Sequence, residues 1–235
     1  LLKARQYIGK YRIEKRLALG GFAAVYRVFD TIEGIRVALK VPHDEHITED
    51  ALRTFRNEAR LAAKLDHPNV LPIKDASIID DRFVIASPLG EATLLDRWQK
   101  RMTMQKRMDL TRQMIAGVAH AHERKIIHCD IKPENIVMKS YSRCLCKVID
   151  FGSSCFSSDR LTTYIQSRSY RAPEVIIGHP YDGRIDVWSM GAVLAEMYTG
   201  YVLFQNDSVP RMLARITAIL GPFSREMLVR GKDTA

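Results

Sequence analysis

HCDIKPENIVM, residues 128–138, sets a carboxylate (Asp130), an amine (Lys132) and a carboxamide (Asn135) within six residues, directly after the apolar pair Ile126-Ile127. Polar groups of three kinds, so close together, are costly to bury without partners. They do suit a division of labour. Asp130 can orient and deprotonate a hydroxyl. Lys132 can neutralise charge on a transferring phosphoryl group, and Asn135 offers a hard oxygen to a cation such as Mg²⁺. A chance cluster in an ordinary loop is the alternative for any one of these residues.

Downstream, Asp150-Phe151-Gly152 follows the apolar Val148-Ile149. An acid at a strand's exit, ahead of a flexible glycine, suits a second metal ligand on a movable loop. The tripeptide says little alone; its order and spacing after HCDIKPEN say more. Upstream, Val37-Ala38-Leu39-Lys40-Val41 alternates, with Val37, Leu39 and Val41 facing one way and Ala38 and Lys40 the other. An amine on so apolar a strand needs an anion nearby. Glu58 is the candidate, because its helical neighbours Phe55, Leu61 and Ala62 put it on or beside an apolar face. Pairing would satisfy both groups and aim the lysine at phosphate; two unrelated surface charges are the alternative. Leu17 to Val25, LALGGFAAV, is a small-residue turn between strands. Its backbone N–H groups can approach a phosphate, although any hairpin can contain glycines.

Around these segments, periodicity predicts strands over 11–19, 24–29 and 35–41, a helix over 49–65, and strands near 70–79 and 82–87. The first 90 or so residues therefore read as a five-stranded sheet with one helix. Helical patterns follow over 93–101 and 104–124, the second with Met104, Met108, Ile115 and Val118 on one face. Short strands are expected near 136–138 and 145–149, an irregular stretch from Asp150 to Glu174, and helices near 184–199 and 208–220. No repeat or low-complexity segment stands out.

The chain has 235 residues, 46% hydrophobic and 27% charged, which excludes disorder of the whole chain. Its net charge of +9 is spread along the chain. That is either a solvated basic surface or attraction to a polyanion such as nucleotide phosphates. No basic helix or aromatic-basic motif suggests a dedicated nucleic-acid site. The cysteines Cys129, Cys144, Cys146 and Cys155 lack a convincing metal-ligand spacing. Cys144 and Cys146 alternate as a strand would, which favours two half-buried thiols over a zinc site. Such cysteine usage fits a reducing, intracellular location. No apolar run approaches the length of a membrane span, and no signal-peptide pattern opens the sequence.

In their order, these segments resemble eukaryotic-type protein kinases. VALK (37–40) resembles the strand-three lysine motif, Glu58 its partner glutamate, HCDIKPEN (128–135) the catalytic loop, and DFG (150–152) the magnesium-binding turn. APE (172–174) resembles the end of the activation segment, and DVWSMG (186–191) the start of the central helix of the second lobe. The resemblance implies an α+β, bilobal kinase-like fold. Residues 1–90 would be a small antiparallel sheet with one helix, and 91–235 a mainly helical, incomplete C-lobe. It implies ATP and Mg²⁺ as cofactors, Asp130, Lys132 and Asn135 as catalytic residues, and Asn135 and Asp150 as metal ligands. Leu17, Ala18, Gly20, Val25, Ala38, Lys40, Glu58, Ser87 and Leu89 would hold the nucleotide. Ala86 would stand at the gatekeeper position behind the adenine, leaving a roomy pocket. The first and third glycines of the usual phosphate loop are Ala18 and Ala23 here; alanine takes positive φ only at a cost, which predicts weakened nucleotide binding or turnover.

HCDIKPEN, DFGSSC (150–155) and YIQSRSYRAPE (164–174) are similar to the dual-specificity tyrosine-regulated kinases, whose members carry cysteine where Cys129 stands. This likeness implies a serine/threonine kinase that phosphorylates its own Tyr164, with Arg168 and Arg171 holding the phosphate. An ordinary loop tyrosine is the alternative. It also implies protein substrates with arginine before and proline after the target hydroxyl, Glu134 meeting the basic residue. A catalytically weak kinase-like scaffold or regulatory fragment is the competing function, and a different ATP-using phosphotransferase the third.

Overall fold

The computed structural model describes residues 1–21, 23–43, 49–98, 102–159, 165–205 and 208–231. Alternating apolar residues build an antiparallel sheet from Tyr7–Ile8 (β1), Tyr11–Leu19 (β2), Ala23–Asp30 (β3), Ile35–Pro42 (β4), Asp75–Ile79 (β5) and Arg82–Pro88 (β6). Its order is β1-β2-β3-β4-β6-β5. The sheet thus has six strands where the alternation predicts five, because Tyr7 and Ile8 pair with Arg12 and Tyr11. One face buries Tyr11, Ile13, Tyr26, Val28, Val37, Leu39 and Val84. The other carries Lys40 and receives the helix Glu49–Ala62 (α1), whose Phe55 packs with Ala23 and Ile85.

Beyond the sheet come Ala92–Thr93 (β7), Leu94–Trp98 (α2), Met104–Glu123 (α3), Ile126–Ile127 (β8), Ile136–Ser140 (β9), Leu145–Val148 (β10) and Cys155–Phe156 (β11). Helices Pro173–Ile176 (α4), Arg184–Thr199 (α5), Val209–Leu220 (α6) and Arg225–Arg230 (α7) follow. The helix expected over 93–101 is confined to Leu94–Trp98 among the described residues, and residues 99–101 lie outside them. The largest core joins α3, α5, β9 and β10, and it also takes Leu61, Leu65 and Val70 from the sheet-bearing half. The bilobal α+β architecture is therefore stitched by an apolar contact across the lobes. No described helix is long and apolar enough to cross a membrane.

The buried face of α3 differs from the expected one. Met104, Met108 and Ile115 are exposed, while Leu110, Met114, Gly117, Val118 and Ala121 are buried. Both sets recur at helical spacing, so periodicity permits either face. Packing decides between them. A Cβ on Gly117 would stand 2.7 Å from the Asn69 carbonyl oxygen and 3.0 Å from Val148 Cγ2, so this glycine lets the helix close onto β10. Cys144 and Cys146 both turn their sulfurs to α3, within 3.7 Å of Lys106 O and 3.9 Å of Leu110 O respectively. Burial pushes the Cys146 thiol up to about 12, as suits a packed, unreactive cysteine.

Candidate active site

Lys40 extends from β4 on the face opposite Leu39. Its Nζ donates to Glu58 Oε1 at 3.0 Å, to Glu58 Oε2 at 2.8 Å and to Asp150 Oδ1 at 2.8 Å. The sheet, α1 and the DFG turn thus meet on one ammonium, which explains why an amine is tolerated on an apolar strand. Burial works against charge on Lys40, but the two carboxylates outweigh it and raise its pKa. Burial and the Asp150 charge raise the Glu58 carboxyl, against the pull of Lys40. Asp150 is held below the ordinary carboxylate value. Burial opposes this, and the Lys40 charge and hydrogen bond, with His128 and the Gly152 N–H, overcome it. One cation facing two carboxylates leaves the cluster net negative, a setting that favours a further cation.

The catalytic-loop residues converge from a second direction. Asp130 Oδ2 accepts from Lys132 Nζ at 2.7 Å and from Asn135 Nδ2 at 3.2 Å. Asp130 Oδ1 accepts from the backbone N–H and hydroxyl of Ser167 at 3.0 and 2.8 Å. Lys132 also donates to Ser167 Oγ at 3.0 Å. Ser167 lies inside the quoted YIQSRSYRAPE but received no role from the sequence. Its importance is a contact across 37 residues, which no local pattern reveals.

The loop itself hangs from a buried carboxylate. Asp186, at the start of α5 and wholly buried, accepts from His128 N at 2.7 Å and Cys129 N at 2.9 Å. His122 Nε2 stands 2.8 Å from the same carboxylate. These bonds hold Cys129 at φ 64, a conformation costly for a side-chain-bearing residue unless its surroundings impose it. The Ile149 N–H donates to Asn135 O at 2.9 Å, which ties the strand leading to Asp150 directly to the loop. Asn135 spends Nδ2 on the Asp130 carbonyl and carboxylate. Its carbonyl oxygen and the Asp150 carboxylate are hard donors. Among the described residues no group of three or more His, Cys, Asp or Glu could hold a metal. Two protein oxygens fit Mg²⁺, which keeps most of its shell for water and phosphate.

Register sorts the expected nucleotide contacts by face. Val25, Lys40 and Ile85 lie in one cross-strand row, and Ala38 lies opposite Ser87. Val25, Ala38, Lys40 and Ser87 therefore share a surface. Ala86 does not: it lies opposite Leu39 and packs with Tyr26 and Val84 on the far face. The expected gatekeeper, Ala86, therefore lies off the surface that carries Ala38 and Lys40, and its neighbour Ser87 lies on it, because a shift of one residue along a strand exchanges the faces. Leu17, Ala18 and Gly20 line the exposed end of β2, and the Leu89 carbonyl accepts from Lys139 Nζ at 2.8 Å. The turn closes through Gly20 N to Ala23 O at 2.9 Å. Neither Ala18 nor Ala23 has positive φ, so the strain expected of alanine there is absent. Ala23 is instead buried against Phe55.

Tyr164 lies outside the described residues. Arg168 is exposed just beyond it, and Arg171 donates through Nε to Ile165 O at 2.8 Å and through Nη2 to Gln166 O at 2.8 Å.

Comparison with known proteins follows the same outline. Residues 11–226 match the protein kinase domain. The human dual specificity tyrosine-phosphorylation-regulated kinase 4 is 36% identical over 219 residues, covering 90% of this chain and 42% of the human protein. The rat dual specificity tyrosine-phosphorylation-regulated kinase 3 is 35% identical over 95% of this chain and 39% of its own length. The DYRK-family kinase pom1 of Schizosaccharomyces pombe is 36% identical over 91% of this chain and 20% of its own length. The chain thus spans about two-fifths or less of the length of these curated relatives.

Proposed function

Because the chain belongs to the protein kinase domain family, we propose that it transfers the γ-phosphate of ATP to serine and threonine hydroxyls of proteins and to its own Tyr164. Residues 1–90 and 91–235 act as its two lobes. The supporting observation is the convergence on Lys40 of Glu58, 18 residues away, and Asp150, 110 residues away, beside an Asp130 that Lys132, Asn135 and Ser167 hold in place. Asp130 accepts the proton of the target hydroxyl, and Lys132 neutralises charge on the phosphoryl group in transit. Lys40 orients the nucleotide phosphates. Asn135 and Asp150 would hold Mg²⁺, which would supply neutralisation of phosphate charge.

The same geometry supports a preference around the target. Gln166, at φ 65, turns its carbonyl to Arg171, which donates from Nη2 at 2.8 Å and Nε at 3.2 Å. That carbonyl no longer accepts an N–H from the residue after the target, so a proline there loses nothing. Glu134 is exposed, and buried Glu196 accepts from the Tyr170 hydroxyl at 2.7 Å. Burial raises the Glu196 carboxyl against that hydrogen bond, and the Glu134 charge raises it further. Two neighbouring carboxylates suit an arginine before the target. Arg168 and Arg171 border Tyr164 in sequence and supply positive charge for its phosphate.

The test is incubation with Mg-ATP and two peptides, one arginine- and proline-flanked and one with both replaced by alanine, followed by phosphotyrosine detection on the protein. The flanked peptide and Tyr164 should take phosphate, and Asp130→Asn should abolish both. Nucleotide binding with no transfer to either would favour the scaffold reading.

A further inference from the structure

The chain leaves the sheet at Pro88, the last residue of β6, and enters the second lobe at β7. The crossing, residues 89–91, is fastened to β9. Lys139 Nζ donates to Leu89 O at 2.8 Å, from 50 residues away. The Glu91 N–H donates to Met138 O at 2.8 Å, and the Tyr141 N–H donates to Glu91 Oε2 at 2.8 Å. Gly90 stands between the first two of these bonds. A Cβ there would lie 2.2 Å from Val137 Cγ2 and 3.2 Å from Met138 O, so glycine is what lets the crossing approach β9 so closely. Val137 and Lys139, both half-buried, share the face of β9 opposite the core residues Ile136 and Met138.

These bonds fix the backbone groups of Gly90. In a trans peptide the C=O and the N–H point in opposite directions, and no cis bond occurs among the described residues. Leu89 O turns to Lys139, so the Gly90 N–H turns away from it. Among the described residues none accepts from that N–H. The Leu89–Gly90 peptide is also the one most free to turn over, because glycine takes either sign of φ at little cost. The bond from Lys139 is charge-assisted, about twice as strong as a neutral one, and holds the peptide in one orientation.

We propose that Lys139 is a positioning residue for the nucleotide base: it locks the Leu89–Gly90 peptide so that the Gly90 N–H donates to the N1 acceptor of adenine. The proposal deepens the kinase reading and rests on it for the choice of base. It replaces the Leu89 carbonyl, which is occupied by Lys139, with its neighbour's N–H. Val137 lies against Gly90 and supplies apolar surface beside the donor, while Ser87, just upstream, shares the face of Ala38 and Lys40. The base then meets a peptide already set in place, which spares the cost of ordering it on binding. β9 begins directly after Asn135, so one strand carries both the lysine that sets the base contact and the end of the catalytic loop.

The experiment titrates the natural chain, Lys139→Met and Lys139→Arg with adenosine and with 1-deazaadenosine, in which a C–H replaces N1, by calorimetry. Neither nucleoside carries phosphate, so Lys40 and metal do not enter the comparison. The natural chain should prefer adenosine by about 10-fold. Lys139→Met should lose most of that preference, and Lys139→Arg should keep it. In peptide phosphorylation, Lys139→Met should raise the KM for ATP about 10-fold with kcat nearly held, because the chemistry is assigned to Asp130. In the natural chain, adenosine and not 1-deazaadenosine should slow hydrogen exchange at the Gly90 amide, a readout that needs no variant to fold. Undiminished preference in Lys139→Met would overturn the proposal. So would equal weakening of both nucleosides, a fall in kcat matching the rise in KM, or a Gly90 amide that adenosine leaves unprotected. Preference and protection without any phosphotransfer would preserve the role of Lys139 and sink the kinase reading.

Discussion

At the scale of single residues, the site turns on which way a side chain points. Ser87 and Ala86 are neighbours of similar size, yet only Ser87 shares the face of Ala38 and Lys40. Replacing Ser87 by phenylalanine should therefore block ATP analogues enlarged at the adenine N6 while leaving the fold intact, as competition binding would show. Phenylalanine at Ala86, 1% exposed against Leu39 and Tyr26, should overpack the sheet and lower stability by about 1–3 kcal/mol. If the Ala86 variant alone changed analogue binding, the face assignment would be reversed. The sequence offered both residues as small and adjacent. It contained no signal for choosing between them, because a strand's alternation is unchanged when its register slips by one.

At the scale of elements, the strands and helices were largely legible. The limits of β2, α3 and α5 follow apolar periodicity closely. What local pattern left open was the face that α3 buries. Gly117 carries that choice, and its substitution is diagnostic. Alanine is the better helix former by up to about 1 kcal/mol. Here, however, its methyl would press on the Asn69 backbone at 2.7 Å. Gly117→Ala should destabilise the protein by about 1–3 kcal/mol in urea unfolding; a gain in stability would mean that α3 does not seat as described.

The turn between β3 and β4 gives a second element-scale case. Asp30 is wholly buried; it accepts from the Ile32 and Glu33 N–H groups and pairs with Lys10 Nζ at 2.8 Å. Burial acts to raise its carboxyl, but Lys10 and the two N–H groups hold it below the ordinary value. The unfolded chain therefore takes up the proton first as acid is added. The stabilisation is complete above the unfolded value, near 3.9, and is lost as pH falls through the lower folded value. The stability gap between the natural chain and Asp30→Asn should be widest at neutral pH and should shrink below about pH 4. A gap that ignores pH would show that the charge contributes nothing.

At the scale of the whole molecule, Asp186 organises the site from below. Buried at the head of α5, it joins that helix to the catalytic loop and to His122 of α3. Asp186→Ala would leave the N–H groups of His128 and Cys129 without their acceptor, at about 1–3 kcal/mol each. The variant should unfold at markedly lower denaturant, and its residual folded fraction should bind nucleotide while transferring phosphate poorly. Unchanged unfolding would show that the loop is held by other means. Both lobes also share one apolar contact through Leu61, Leu65 and Val70, so the cleft is set by the larger core as well as by the ions that cross it.

The sequence by itself determined the chemistry available and its order along the chain: an amine on an apolar strand, a glutamate on a helix, the polar loop at 128–135 and the acid at 150. It also determined most of the elements, since periodicity of two or 3.6 residues is a local property. Only the tertiary structure decided that Ser87 and not Ala86 shares the face of Ala38 and Lys40, which stripe of α3 is core, that Ser167 braces Asp130, and that two distant thiols, Cys129 and Cys155, touch. The reason is physical: a pattern announces that an apolar face exists, but which face is buried, and which remote groups become neighbours, depends on how all the elements pack at once.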